Sequence, residues 1–299
     1  YILILIKIIR YKNNNLIMKK VYLCSFGSPD LVLSINRFVK QSKALDFYKE
    51  IKVFGWADLS KSKQEQVNSF FKKGQKRLFG YASWKPEIIL SYLNEIPENS
   101  ILQYSDIGCS FNFKGINRLK DYIKITEEND ILVFKYSEPN FNLKENIKFQ
   151  VYYEFQYTKA DAWKYLNIDS NSNILKTEQI WSGTMFFKNN SYVKKILNEW
   201  VDVCKINNLI DDNNSNEKNH ENFIEHRHDQ SIFSLICKKE NIYCLSASEC
   251  EWAEFENKRV WFHLDNYPIL AKRDKKLNFF KRFIARQKKN IRRWRNRLN

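Results

Sequence analysis

Residues 101–109 read Ile-Leu-Gln-Tyr-Ser-Asp-Ile-Gly-Cys, and the fold prediction starts from this stretch. The run predicts a short buried strand that stops at a carboxylate, Asp106, and is followed by a glycine turn. In open α/β sheets, ligands bind beyond the carboxyl ends of the strands. We therefore expect Asp106 to lie where a metal ion or a phosphorylated ligand would bind.

Strands and helices alternate on both sides of this stretch. Apolar runs predict strands at residues 21–25, 51–56, 101–104 and 131–136, and an extended apolar segment at 179–187. Helical patterns cover residues 31–43, 64–71, 87–95, 159–166, 191–204 and 230–239. The alternation predicts the α/β class, with a doubly wound mixed sheet flanked by helices.

Bulk composition narrows the class of protein. The chain has 299 residues, which is enough to bury a substantial core. Aromatic residues make up 15% of the sequence, which excludes a disordered protein. The six cysteines form no C-x-x-C pair, so the spacing does not favour structural zinc, and reduced thiols in a cytoplasmic protein are expected.

The formal charge of +16 is concentrated at the carboxyl end. Residues 272–299 hold thirteen lysines and arginines and a single acid, Asp274, so this segment alone carries +12. Apolar residues recur in it at intervals of seven. The pattern predicts a basic amphipathic helix that lies on an anionic membrane surface. Nucleic-acid binding is the less favoured alternative, because the same charges attract phosphate backbones.

The amino-terminal boundary is predicted from Met18, which precedes the first strand. Residues 1–17 are interpreted as a non-native or disordered extension, with a membrane-touching segment as the alternative. The apolar run at 2–9 is too short to span a bilayer, which needs about 20 residues. Residues 18–271 then form the folded domain.

The stretch Gly80-Tyr81-Ala82-Ser83-Trp84-Lys85-Pro86 offers binding groups at a helix start. Tyr81 and Trp84 are candidates for stacking on a base, and Lys85 for pairing with a phosphate. An aromatic helix cap packed into the core explains the same residues equally well.

A second motif is Trp181-Ser182-Gly183-Thr184. Gly183 permits close backbone approach to a sugar, and the Ser182 side chain can form hydrogen bonds with sugar hydroxyls. An ordinary bulge is the alternative explanation.

The densest polar cluster is His226-Arg227-His228-Asp229-Gln230-Ser231. It holds two of the four histidines of the chain, and His226, His228 and Asp229 can act as acid, base or ligand. Asp229 is also expected to cap the helix that follows.

A divalent cation at Asp106 would neutralise a diphosphate leaving group. The third position of this motif is Gly108, so only one carboxylate is present, and a second ligand would have to come from elsewhere. His263, after a predicted strand, is the candidate for that ligand. A packed, hydrogen-bonded histidine is the alternative.

The four motifs, in this order over residues 80–231, resemble those of bacterial surface-polysaccharide glycosyltransferases of the GT-A type, the capsule and lipopolysaccharide group. The resemblance implies a GT-A-like catalytic domain at 18–271, a nucleotide-sugar donor, a glycan or lipid-linked acceptor, and Mn²⁺ or Mg²⁺ at Asp106. Gly108 departs from the family pattern, which has a second acid there, and this leaves the metal requirement open.

The resemblance also implies roles for individual residues. Asp229, with His226 or His228, would orient the acceptor hydroxyl or accept its proton. Contacts to the nucleotide sugar are expected from Ser25, Gly27, Tyr81, Trp84, Lys85, Asp106, Gly108, Ser182 and Gly183. The enzyme would lie on the inner face of the cytoplasmic membrane, held by its tail. A metal-dependent hydrolase built on His226, His228 and Asp229, and a nucleic-acid-binding protein, stay open as alternatives.

Overall fold

The computed structural model describes residues 20–139 and 147–272, together with residues 287, 290, 291, 293 and 294. The predicted extension at 1–17 and most of the predicted amphipathic helix at 272–299 lie outside the described residues.

The helices are α1 (Val32–Ala44), α2 (Lys61–Lys72), α3 (Lys85–Glu95), α4 (Ile116–Asn129), α5 (Glu154–Tyr157), α6 (Ala160–Tyr165), α7 (Ser191–Cys204), α8 (Asn207–Ile210) and α9 (Asp229–Lys239). The strands are β1 (Val21–Phe26), β2 (Glu50–Phe54), β3 (Ile101–Ser105), β4 (Ser110–Phe111), β5 (Ile131–Lys135), β6 (Ile180–Lys188), β7 (Cys244–Ser246), β8 (Ala253–Phe255), β9 (Lys258–Val260) and β10 (Ile269–Leu270).

Six of these strands form one mixed sheet in the order β2-β1-β3-β6-β5-β7. β1 pairs in parallel with β2 and β3, and β5 pairs in parallel with β7. β6 runs antiparallel to both of its neighbours, β3 and β5. The carboxyl ends of five strands and the amino end of β6 therefore meet at one edge, and the predicted mixed sheet flanked by helices is confirmed.

Helices cover both faces of the sheet. Residues along each strand point alternately to opposite sides, so each strand supplies buried side chains to both faces. In β1, Tyr22 and Cys24 belong to the cluster formed with α2, α3, α7 and α9, whereas Val21 and Leu23 belong to the cluster formed with α1 and α4. Each large apolar side chain buried in this way contributes about 1.5–3 kcal/mol. Continuous apolar runs in the sequence are the consequence.

Among the strands of the six-stranded sheet and the long helices, two elements were missed by the sequence prediction. β7 has only three residues, which is too short for a periodic signal. α4 buries Leu119, Tyr122, Ile123 and Thr126, a spacing that the helical period would have detected. In the part of the chain that the structure describes, no helix combines the length and the apolar character needed to cross a membrane.

Candidate active site

A cavity of about 670 Å³ opens at the sheet edge where the carboxyl ends of the parallel strands meet. Four of its lining residues follow directly from that topology: Phe26 ends β1, Asp106 follows β3, Tyr136 follows β5, and Trp181 lies at the start of β6. A cavity of this volume is in the range of small-molecule sites. The edge predicted from residues 101–109 is thus the edge that carries the cavity.

Lys85 lies at the centre of the cavity wall and joins three segments. Its Nζ is 3.2 Å from Oδ1 of Asp106 and 3.0 Å from Oδ2 of Asp229. It also lies 3.1 Å from the carbonyl oxygen and 3.2 Å from the hydroxyl of Ser182, to which it donates. We call Lys85, Asp106, Asp229 and Ser182 the central cluster.

Local structure places each member of the central cluster. Asp106 leaves β3 with its backbone N–H donating to the carbonyl of Gly183 on β6 (2.8 Å), and the Tyr104 hydroxyl donates to its Oδ1 (2.8 Å). Lys85 is the first residue of α3, where the following proline is tolerated. Asp106 is thus placed by the end of β3 and Ser182 by β6, whereas Lys85 and Asp229 are placed by helix starts.

The prediction that Asp229 caps α9 is wrong. His228 occupies the N-cap position and Asp229 is the first helical residue. The Asp229 carboxylate accepts from the Ser182 hydroxyl at 3.1 Å and pairs with Lys85 instead. Its negative charge still lies favourably at the amino end of the helix dipole.

Burial and the neighbouring charges shift the pKa values of Lys85 and Asp229 in the central cluster. Burial by itself lowers the pKa of Lys85, but the carboxylates of Asp106 and Asp229, with their hydrogen bonds, outweigh this and raise the pKa above its usual value. Burial raises the pKa of Asp229, and the Lys85 ammonium opposes that rise. Asp106 differs from the other two because 41% of its side chain is exposed. Its carboxylate is the part of the cluster that a ligand reaches.

Aromatic residues form the β1 end of the cavity. The rings of Phe26 and Trp84 stack with centroids 3.9 Å apart, and both line the cavity. Trp84 is fixed further by its Nε1–H, which donates to the carbonyl of Phe79 at 3.1 Å. This end offers a flat apolar wall suited to a nucleobase.

The turn that leads into Trp84 is left-handed. Residues 78–82 have φ between +46° and +86°, and four of the five carry side chains. Such a residue costs about 1–2 kcal/mol, so a whole turn of them is rare. Gly80 is required there, because a Cβ would lie 2.8 Å from Cγ2 of Val67. Strain of this kind at a cavity wall is typical of a functional site.

Seven of the predicted site residues line this cavity: Trp84, Lys85, Asp106, Gly108, Ser182, His228 and Asp229. The sequence reasoning assigned no role to Phe26, Tyr136, Arg227 and Glu251, which also line it. Arg227 lies inside a quoted motif, and the strand ends would have indicated Phe26 and Tyr136. Nothing local singles out Glu251.

Four predicted donor-binding residues lie behind the wall rather than on it. The Ser25 hydroxyl donates to the carbonyl of Ser105 (2.6 Å), and the N–H of Gly27 donates to that of Phe54 (2.9 Å). Gly183 lies against Trp181, whose ring leaves no room for a Cβ. Tyr81 is buried, with its ring centroid 4.6 Å from that of His228. These four residues therefore lie outside the cavity lining.

Only one of the two predicted catalytic histidines lies in the lining of this cavity. His228 lines the cavity and its Nδ1–H donates to the carbonyl of Ile210 at 2.6 Å. His226 is buried outside the cavity, where its Nδ1 accepts from the N–H of Lys159 (3.3 Å) and its Nε2–H donates to the carbonyl of Leu209 (2.8 Å). Burial, and then the Lys159 charge, hold the pKa of His226 well below its usual value. His226 is a structural, neutral side chain in this arrangement.

A divalent cation fits this site only with ligands from a substrate. The predicted second ligand, His263, is absent from the cavity lining and donates from Nε2 to the carbonyl of Glu251 at 3.1 Å. Over the described ranges, no three His, Cys, Asp or Glu side chains form a group that could hold a metal. One lysine between two carboxylates does leave the central cluster with a formal charge of −1. Mg²⁺ is commonly held by one carboxylate together with substrate phosphates.

Comparisons with known proteins give structural similarities at low sequence identity. No family model and no curated protein matches the chain. It is similar to a glycosyltransferase involved in the glycosylation of the major capsid of PBCV-1, at 10% identity and a TM-score of 0.44, over 90% of this chain and 98% of that one. For mouse xyloside xylosyltransferase 1, the identity is 10% and the TM-score 0.38, over 77% of this chain and 87% of that one. For the galactosyltransferase LgtC in complex with donor and acceptor sugar analogues, the identity is 11% and the TM-score 0.37, over 77% of this chain and 75% of that one.

Proposed function

We propose that this protein is a glycosyltransferase that moves a sugar from a nucleotide-sugar donor to a glycan or lipid-linked acceptor, as in capsule or lipopolysaccharide synthesis. The observation that carries the proposal is the central cluster, in which Lys85 joins the half-exposed Asp106 to the buried Asp229 inside a cavity at the carboxyl edge of the sheet. Each of the four motifs that resemble those of surface-polysaccharide enzymes contributes one residue to this cluster.

The donor would lie along the β1 side of the cavity. Its base would stack against Trp84 and Phe26, and its diphosphate would extend toward Asp106. A divalent cation held by Asp106 and the phosphates would supply charge neutralisation for the leaving group. Gly108 also lines the cavity, two residues after Asp106, and its lack of a side chain would leave room for the diphosphate.

The acceptor hydroxyl would approach from the side of His228 and Asp229. The pKa of Asp229 is raised by burial, and a carboxylate whose pKa is raised is better matched to accepting a proton near neutral pH. The Ser182 hydroxyl, which bonds to this carboxylate, would keep it oriented. His228 would orient the hydroxyl by contact.

The proposal is tested by donor turnover. We expect hydrolysis of one member of a panel of UDP-, GDP- and CMP-sugars in the presence of Mn²⁺, with release of the free nucleotide (UDP, GDP or CMP) as the readout. Asp106→Asn should lower that rate at least about 100-fold, since removal of one group that stabilises transition-state charge costs this much. Asp121→Asn, at an exposed acid outside the cavity, is the matched control. No turnover of any donor, or equal rates for both variants, would refute the proposal.

The alternative of a zinc hydrolase is not favoured, because His226 lies outside the cavity that holds His228 and Asp229.

For the basic tail we propose peripheral attachment to the inner face of the cytoplasmic membrane. Its charge supports this, as do two large side chains at described positions, Ile291 and Trp294, which are 63% and 64% exposed. Deletion of residues 273–299 should abolish sedimentation with phosphatidylglycerol vesicles and leave donor hydrolysis intact; retained sedimentation would contradict the proposal.

A further inference from the structure

Arg227 lines the end of the cavity opposite the Phe26–Trp84 wall. Its Cζ lies over three tyrosine rings, 3.8 Å from the centroid of Tyr157, 4.1 Å from that of Tyr152 and 5.4 Å from that of Tyr136. Aromatic faces hold a guanidinium in place without occupying its N–H donors in the plane. The side chain is therefore both charged and positionally restrained.

The hydrogen-bond partners of the Arg227 guanidinium are neutral side chains, namely Tyr152, Tyr157 and Gln179. The guanidinium donates to Oε1 of Gln179 at 3.5 Å, which is a long hydrogen bond. Within residues 20–139 and 147–272, no carboxylate lies within 4 Å of it. Glu251, the acid at this end, accepts instead from the Tyr136 hydroxyl at 3.4 Å.

The other cations of the cavity wall differ from Arg227. Lys85 is held between two carboxylates, and Arg77 lies 2.9 Å from Asp212. Lys76 is exposed, and among the described residues no aromatic ring lies against its ammonium group. A fixed guanidinium with most of its fork unengaged by protein carboxylates is suited to bidentate binding of a carboxylate or phosphate.

Sheet order assigns Arg227 to the acceptor side. Tyr136, which follows β5, and Phe26, which ends β1, are separated by three strand intervals, because β3 and β6 lie between those strands. At about 4.8 Å per interval the two ends are about 14 Å apart. The central cluster lies between them, at β3 and β6. A donor that stacks on Phe26 and reaches Asp106 leaves the Arg227 end for the acceptor.

We propose that Arg227 binds an anionic group of the acceptor, a carboxylate or a phosphate, and thereby gives the enzyme a preference for acidic acceptors. This inference rests on the proposed function for the identity of the second substrate. The binding itself follows from the arginine and its tyrosine cage. It is a specificity role, because the guanidinium contacts the acceptor away from the reacting hydroxyl.

The test is binding of three matched probes to the full chain: p-nitrophenyl glucoside, its glucuronide, and its 6-phosphate. Titration followed by NMR gives a dissociation constant for each. We expect one anionic probe to bind about 10- to 100-fold more tightly than the glucoside, the range for a charge-assisted pair. Whether the glucuronide or the phosphate has this advantage distinguishes an acidic sugar from a phosphate-linked acceptor.

Arg227→Gln should remove this advantage and Arg227→Lys should retain part of it, because lysine keeps the charge without the fork. Arg259→Gln is the matched control, since Arg259 also lies over an aromatic ring, Trp252 at 4.2 Å, but does not line the cavity. The inference is overturned if the wild-type protein shows no preference, if Arg227→Gln keeps it, or if a nucleoside diphosphate competes with the anionic probe. Donor hydrolysis is measured separately: its absence alongside Arg227-dependent binding would refute the transferase and leave the anion site standing.

Discussion

Replacing Lys85 by methionine tests the central cluster most directly, because it removes the charge that compensates a buried acid. In the native protein the Asp229 carboxylate is 3% exposed and lies 3.0 Å from the Lys85 ammonium. Without that ammonium the buried carboxylate either stays charged or takes up a proton. Asp106 is less affected, because its half-exposed carboxylate is hydrated.

The magnitude follows from these two routes. Breaking a buried ion pair costs about 3–5 kcal/mol. Protonation of a carboxyl group of ordinary pKa costs about 4 kcal/mol at pH 7, which sets a similar ceiling. We therefore expect Lys85→Met to lower the free energy of unfolding by about 3–4 kcal/mol at pH 7. In a domain of this size that corresponds to a fall in Tm of about 6–16 °C.

The stability that Lys85→Met loses should depend on pH, and the direction of that dependence shows whether the uncompensated Asp229 carboxylate is the cause. An acid whose folded-state pKa is raised destabilises the protein above its unfolded pKa, and the penalty grows as the pH rises. The deficit of Lys85→Met should therefore shrink by about 1.4 kcal/mol for each pH unit below 7. Urea unfolding at pH 7 and pH 5, followed by tryptophan fluorescence, measures it.

Two controls make this prediction specific. The double variant Lys85→Met/Asp229→Asn should recover most of the lost stability, because the uncompensated charge is gone. Lys52→Met removes an exposed pair with Glu95 and should cost less than about 1 kcal/mol. A deficit below about 1 kcal/mol for Lys85→Met, or one that is equal at both pH values, would refute the reasoning.

Other perturbations test neighbouring features. Tyr104→Phe removes the donor to Asp106 and should lower donor turnover about 5- to 10-fold with the fold intact; an unchanged steady-state rate would contradict this. Gly80→Ala should destabilise the protein by about 2 kcal/mol in urea, because its φ is +86° and its site is packed, whereas Gly74→Ala, with φ of +74° and nothing within 4 Å, should cost about 1 kcal/mol. The lowered pKa of His226 means that the folded protein binds fewer protons than the unfolded chain, so stability should fall as the pH drops below about 6.5. His226→Gln should make unfolding curves at pH 7 and pH 5 differ less than in the wild type; an unchanged difference would exclude His226 as the cause.

The order of apolar runs was sufficient for the fold class, because a strand buried on both faces must be apolar throughout and an amphipathic helix must repeat every three to four residues. The same logic placed Asp106, since strand ends of a parallel sheet share one edge. The chain between Ile116 and Asn129 carried a helical period that was overlooked, and the three residues of β7 carried none.

The site depended on the tertiary structure. Lys85 was predicted at a helix start, where it would pair with phosphate, but the folded protein buries it between two acids, Asp106 and Asp229, that are distant in sequence. His226 and His228 are two residues apart, and either of them was expected to act with Asp229. The backbone of His228 has a φ of +57°, and the two rings enter different pockets.

Local sequence therefore determined which segments form strands and helices, and which acid ends a strand, because those outcomes depend on the period of apolar residues within a few turns of chain. Which side chains face one another across the cavity was decided only when the strands took their order in the sheet. The tyrosines around Arg227 come from two separate stretches, 136 and 152–157, and the two carboxylates at Lys85 come from a strand end and a helix start. No periodicity within a segment records such pairings, because their energies arise between segments that meet only in the folded protein.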